Sequence, residues 1–190
     1  VVEKDCGQYD TVTEVMWVTG AALFIRLADY REVGGLDGHF FAHMEEIDLC
    51  WRLRSRGKKL VCIPQSVVYH VGGATLKKEN PRKTFLNFRN NLLMLYKNLP
   101  DKELEHVLFI RGILDRVAAL VFYLKKDRAN ARAVMQARRE FEDIRYSFAA
   151  SRIENMMKST DEIIPERTHF SIVMKYYLLG KKHFSQLKLF

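Results

Sequence analysis

Apolar residues are distributed in two different ways along this chain. Between residues 15 and 71 they form short runs broken by glycine and proline, and from residue 81 onward they recur at helical spacing. Val15–Val18 and Ala21–Ile25 flank Gly20, while Lys59–Ile63 and Val67–Val71 flank Pro64; runs of this length and setting are β-like. Leu27–Val33 is predicted as a short helix, with Gly34-Gly35 supplying the left-handed positions that end one. Glu45–Arg56 is predicted as a helix because Glu45, Glu46 and Asp48 crowd its first turn, Arg52, Arg54 and Arg56 its last, and Gly57 follows as a stop; both ends suit the macrodipole. Asn80-Pro81 reads as an N-cap with proline at the first helical position. Phe85, Phe88, Leu92, Leu95, Tyr96 and Leu99 then keep one face, and Pro100 ends that helix. Leu104–Lys126, Arg128–Phe148 and Phe170–Leu179 follow as predicted helices, without internal repeat or low-complexity tract.

Composition divides the chain at the same place. Beyond Pro100 only Gly112, Pro165 and Gly180 interrupt the pattern. We therefore expect an α/β part over 1–98 and an α-helical extension over 99–190. The 190 residues carry a net charge of +8 and are 48% hydrophobic, which excludes an acidic disordered chain, a collagen and a disulfide miniprotein. Cys6, Cys50 and Cys62 are odd in number and lack a CxxC pair, so neither a disulfide framework nor a zinc site is expected, and a reducing, cytoplasmic location is. The apolar run Val107 to Leu124 contains Arg111, Asp115 and Arg116, which argues against a spanning helix. The opening VVEKDCGQYD has neither the basic nor the apolar region of a signal peptide. With Val1 in place of Met, it reads as the remainder of a longer chain.

Candidate chemistry concentrates in residues 20–75. Glu45, Glu46 and Asp48 come directly after the loop His39-Phe40-Phe41-Ala42-His43. Three acids in four residues repel one another, which raises a carboxyl toward the range of a general base. The alternative is that they merely complement the helix N-terminus. His70, ahead of Gly72-Gly73, suits a divalent metal ligand at a strand end, or equally an ordinary hydrogen-bonded side chain.

The order of motifs favours the chemical readings. Gly20 to Arg26, Val33-Gly34-Gly35-Leu36-Asp37, Phe40-Phe41, Glu45-Glu46-Ile47-Asp48-Leu49-Cys50-Trp51-Arg52, Gly57 and Val68 to Gly73 together resemble the C-terminal part of the catalytic domain of inverting family 2 glycosyltransferases of the rhamnosyltransferase-like branch. The resemblance covers about residues 15–98. It implies a GT-A fold, a nucleotide-binding α/β sheet, and transfer of a sugar from a nucleoside diphosphate to an acceptor hydroxyl, with a saccharide or lipid-linked acceptor in cell-surface polysaccharide or glycolipid synthesis.

By position, Glu46 corresponds to the family's general base and Glu45 to its neighbour in the acceptor pocket. The base assignment is split between Glu46, Glu45 and Asp48, and Asp48 otherwise holds the helix start or a nearby basic group. Trp17, Gly20 and Ala21 resemble acceptor-side positions, and His70 a histidine that joins Mg²⁺ or Mn²⁺ coordination. Departures from the pattern are Glu46 where Asp is more usual, His43 where an aromatic is, and Thr75 where Ser is. No Asp-x-Asp, the family's ligand for metal and phosphate, occurs in the sequence. The expectation is that the nucleotide-binding half precedes Val1 and that residues 1–190 alone are inactive.

Residues 77–97 and 125–139 each hold six basic side chains and one acid. Such stretches meet diphosphate, anionic lipid or solvent. No helix-turn-helix, zinc-finger or RNA-recognition signature accompanies them, so nucleic acid is not expected as a partner. Leu104–Leu124, apolar around most of its circumference and succeeded by Lys125-Lys126-Asp127-Arg128, reads either as a membrane-interfacial helix on an anionic surface or as a buried one. The rival function is a non-catalytic membrane- or partner-binding module retaining the glycosyltransferase scaffold.

Overall fold

The computed structural model describes residues 3–70, 80–160, 164–168 and 170–187. Seven α-helices are described: α1 (Leu27–Glu32), α2 (Glu45–Ser55), α3 (Pro81–Asn98), α4 (Asp101–Leu124), α5 (Arg128–Ile144), α6 (Ala149–Met157) and α7 (Ile172–Tyr177). The sheet consists of β1 (Thr13–Glu14) and β2 (Val61–Cys62), paired antiparallel with Thr13 opposite Cys62. Helix ends obey local chemistry: Gly57 (φ +74°) stops α2. Asn80 accepts from the Arg82 N–H ahead of Pro81 at 2.9 Å.

Among the described residues the fold as a whole is mostly helical, and the sheet of the expected α/β first part amounts to one two-residue strand pair. Of the predicted β-like runs, Lys59–Ile63 yields β2. Gly20–Ala22 instead forms a 3₁₀ turn. Val67 to His70 lies outside any strand, and Val71 is outside the described residues. A strand exists only where a neighbour satisfies its backbone, and β1 is the only described neighbour that reaches β2. The predicted helix Arg128–Phe148 ends as α5 at Ile144, and after a 3₁₀ turn at Arg145–Phe148 the chain adds α6, a helix the apolar spacing does not reveal.

Residues from both parts of the chain meet in one core. Phe40 and Trp51 join Leu92, Leu93, Met94, Tyr96, Leu99 and Leu104 of the α3–α4 region and Phe141, Phe148 and Ile164 beyond it. Here α3 is packed against α2, α5 and α6, so its second half is buried on nearly every side, Asn90, Lys97 and Asn98 included. The close approach of α5 is permitted by its small buried residues, Ala131, Ala133, Val134 and Ala137. A second cluster, Val33, Leu49, Cys50, Leu53 and Leu60, fixes the other side of α2.

Candidate functional site

The first turn of α2 is positioned from below by a buried ion network. Asp48, fully buried, accepts from Arg52 Nη2 at 2.7 Å, Lys97 Nζ at 3.0 Å and Asn98 Nδ2 at 2.7 Å. Lys97 also donates to Asp37 Oδ2 at 2.7 Å. Arg52 in turn donates to the carbonyls of Val33 and Gly35, the latter at 2.8 Å, tying α2 to the turn after α1. Only glycine suits position 35: φ is +68°, and a Cβ there would stand 2.9 Å from the Tyr30 ring. Asp48 thus holds basic groups, which is one of the two roles its sequence position suggested, and presents no surface to a substrate.

This network gives the fold an acid-sensitive joint. Burial works to raise the Asp37 carboxyl, but Lys97 and His39 outweigh it and hold it at about 2. A carboxyl lowered on folding contributes stability that is complete above its unfolded value near 4 and is lost as pH falls from there through about 2. Melting curves over that range are expected to show Asp37→Asn losing less stability than the parent protein, by on the order of 1–2 kcal/mol. Parallel acid limbs in the two proteins would refute the assignment.

A strained loop delivers the acids. Phe41, His43 and Met44 have φ of 62°, 69° and 75°, left-handed values that side-chain-bearing residues rarely adopt. They are held by Asn90, fully buried on α3, whose Nδ2 donates to the carbonyls of Phe40, Ala42 and His43 at 2.8, 2.8 and 2.9 Å. Arg89 adds a bond to the His39 carbonyl at 3.0 Å, and Arg82 lies over the Phe41 ring at 5.2 Å. Strain that is clamped in this way clusters at functional sites.

Above the clamp stand Glu45, Glu46 and His43. Glu45 Oε2, Glu46 Oε2 and His43 Nε2 are buried atoms with no hydrogen-bond partner among the described residues. Burial lifts the Glu46 carboxyl above its ordinary 4.5, and Glu45 adds to the lift. The backbone amides of Glu46 and Met44, together with His43, offset part of it. The half-buried Glu46 carboxyl takes the backbone amides of Met44 and Glu46, as an acid at a helix start does, while one oxygen of each glutamate and the His43 Nε2 keep no such partner and could be satisfied by a hydroxyl group.

The structure brings Gly20 to this place. A Cβ on Gly20 would lie 3.6 Å from Glu46 Cβ, so the Gly20–Ala22 turn walls the acid. Thr19 Oγ1 accepts from the Ala21 N–H at 3.4 Å to start that turn. Trp17, just upstream, is half-exposed. His70 is exposed, and its companions Gly72-Gly73, like Thr75, lie outside the described residues. No group of three or more His, Cys, Asp or Glu side chains is gathered to hold a metal among the described residues. His70 alone does not fit a Mg²⁺ or Mn²⁺ site. All three cysteines are free.

Sequence reading missed Asn90, Lys97 and Asn98. For Asn90 and Asn98 the signal was present as the i, i+4 row Leu86, Asn90, Met94, Asn98, in which polar side chains alternate with apolar ones on a buried face; Lys97 lies outside that row.

Comparison with known proteins gives glycosyltransferases. The chain is 31% identical over 141 residues, 68% of its length, to a pre-mycofactocin glycosyltransferase of Mycobacterium tuberculosis, of which it covers 29%. It is 33% identical over 69 residues, 36% of its length, to the rhamnosyltransferase WbbL of Escherichia coli K12, covering 25% of that protein. It is also 38% identical over 56 residues, 30% of its length, to an N-acetylglucosaminyl-diphospho-decaprenol L-rhamnosyltransferase of M. tuberculosis, covering 18% of it. The chain thus spans less than a third of the curated relatives it matches. No family model and no solved structure matches. A likeness over 68% of the chain exceeds residues 1–98, so it takes in part of the helical segment.

Proposed function

We propose that this chain is the acceptor-side part of an inverting glycosyltransferase, of family 2 and GT-A type, that transfers a sugar from a nucleoside-diphosphate donor to a saccharide or lipid-linked acceptor in cell-surface polysaccharide or glycolipid synthesis. The observation that carries this reading is Glu46, a carboxyl raised by burial, carrying an unpartnered oxygen and walled by the Gly20–Ala22 turn. Similarity to glycosyltransferases supports the reaction class.

The chemistry is derived from that geometry. A sugar hydroxyl is a poor nucleophile until its proton leaves, so Glu46 takes the proton while the hydroxyl oxygen bonds to the anomeric carbon. The bond from that carbon to the diphosphate breaks in the same displacement, the diphosphate departs with the electron pair, and the configuration inverts. A raised proton affinity makes Glu46 a stronger base once ionised. Glu45 orients the acceptor through a hydroxyl contact and adds to that affinity, and Trp17 offers a ring face to the sugar. Asp48 acts through Arg52 and Lys97 as a positioning residue. A divalent cation would require ligands beyond His70, and no step is routed through it. The reaction side is assigned to the cytoplasm, where nucleotide sugars are the activated donors.

The test is an assay of the full-length protein that carries this sequence, with uridine, guanosine and thymidine diphosphate sugars and saccharide acceptors. The expected product has the anomeric configuration opposite to the donor, read by proton NMR. Retention of configuration would overturn the single-displacement mechanism. Neither transfer nor donor binding with any of them would leave the non-catalytic scaffold reading, which an upstream half without acidic metal ligands would favour. Residues 1–190 alone are expected to give no transfer, because that phosphate-binding motif is missing from them.

A further inference from the structure

The outer face of α4 is apolar without interruption for most of its length. At 100° per residue, Phe109, Ile110, Ile113, Val117, Leu120, Val121 and Leu124 fall within an arc of roughly 120° that extends about 22 Å. None is buried, and Phe109 and Leu124 are 69% and 71% exposed. The opposite face carries the helix's attachment to the protein. There Asp115, fully buried, pairs with Arg111 at 2.8 Å and with Arg138 of α5 at 3.0 Å. Of the charges that interrupt the apolar run in sequence, Arg111 and Asp115 are thus turned inward and Arg116 stands exposed beside the arc, which itself has none. Exposed apolar surface of this extent marks an interaction face.

What covers the arc is indicated by the charges at its edge. Tyr123 and Arg116 flank it, and the helix ends directly in exposed Lys125 and Lys126, with Arg128 over the Tyr123 ring at 5.8 Å. Exposed Arg132 and Arg139 continue the basic side along α5. An apolar face bordered by an aromatic ring and cations suits the boundary between acyl chains and anionic headgroups. Among the described residues no helix is long and apolar enough to cross a membrane, so the fitting geometry is a helix lying in the interface. The short α7 repeats the composition, with exposed Ile172, Val173, Met174 and Tyr177 ahead of Lys181 and Lys182.

We propose that the Phe109–Leu124 face of α4, with Lys125, Lys126 and Arg128, docks this protein on an anionic phospholipid bilayer surface. This inference rests on α4 alone and stands apart from the assignment of Glu46.

Flotation of residues 1–190 with phosphatidylcholine vesicles, with and without about a third phosphatidylglycerol, tests it. Binding is expected to anionic vesicles, weakened several-fold by raising salt from about 0.1 to 0.5 M. The pair Phe109→Asp and Leu120→Asp should lower the partition coefficient at least tenfold. Lys125→Glu with Lys126→Glu should abolish the preference for anionic lipid, which keeps the test decisive if the first pair disturbs folding. Absence of binding to anionic vesicles, or binding unaltered by both pairs, overturns the proposal. So does a dimer in sedimentation that the aspartate pair dissolves without any vesicle binding, which would give the face to a second copy. Flotation of the 190 residues but not of the full-length protein would give it to another part of that chain.

Discussion

On the proposed reaction, Glu46→Gln in the full-length protein is expected to lower turnover by about 10²–10⁴-fold while donor binding stays near its native level. Glutamine keeps the size of the side chain and its place against the Gly20 turn but cannot take the acceptor's proton. The parent protein's rate should rise with pH through a value above the ordinary 4.5 of a glutamate, because burial and Glu45 raise this carboxyl and only the ionised form is a base. That limb should vanish in the variant. Stability should move the other way. A carboxyl raised on folding holds its proton more tightly in the native state, so its contribution declines as pH rises from the unfolded value to the raised one. Above that interval the variant escapes the penalty, and its melting temperature is expected to be unchanged or higher by about 1–2 °C. Near-normal turnover would move the base to Glu45, whose oxygen is also unpartnered among the described residues. A large loss of melting temperature would show that Glu46 is structural.

Asp48→Asn is expected to destabilise the fold by about 3–5 kcal/mol, because it removes the anion that faces both Arg52 and Lys97 and leaves two buried cations with too few partners. Denaturant unfolding of residues 1–190 measures this directly, and a change below about 1 kcal/mol would contradict the network. Arg52→Met is expected to be less damaging in the Asp48→Asn background than in the parent, since one of the uncompensated charges is then gone already. In the full-length enzyme Asp48→Asn should lower activity only as far as it lowers the folded fraction. Glu46→Gln should behave in the opposite manner. The two variants therefore separate a base from the group that positions it.

Local features of the chain were legible because their causes are local. The end of α2 at Gly57, the Gly34-Gly35 turn and the Asn80-Pro81 start of α3 depend on backbone conformations that few residues supply. The clustering of Glu45 and Glu46 at a helix start was likewise evident from spacing, whereas Gly20 on the side of the acids was implied only by the family resemblance. The β-like runs were misjudged because a strand is completed by its neighbour. Apolar length alone cannot say whether that neighbour is present, and among the described residues only Lys59–Ile63 of these runs found one, in β1. The helical face of α3 is readable from Phe85, Phe88 and Leu92, yet partners on several sides bury Asn90, Lys97 and Asn98 as well.

The sequence by itself thus determined the stop of α2, the start of α3 and which helix start carries the acids. Only the tertiary structure decided what each acid does. Asp48 and Glu46 are two residues apart on one helix, so a rotation of about 200° sends them to different surroundings. Asp48 meets Lys97 and Asn98, some fifty positions away in the chain, whereas Glu46 meets the Gly20 turn and, among the described residues, pairs with no cation. The same division settled α4. Its apolar residues and its charges are interleaved in the chain, and only the docking of α5 through Asp115 and Arg138 turns Asp115 and its partner Arg111 inward and leaves the apolar arc outside. Spacing fixes which residues share a face, and the neighbour packed against the helix fixes which face is covered.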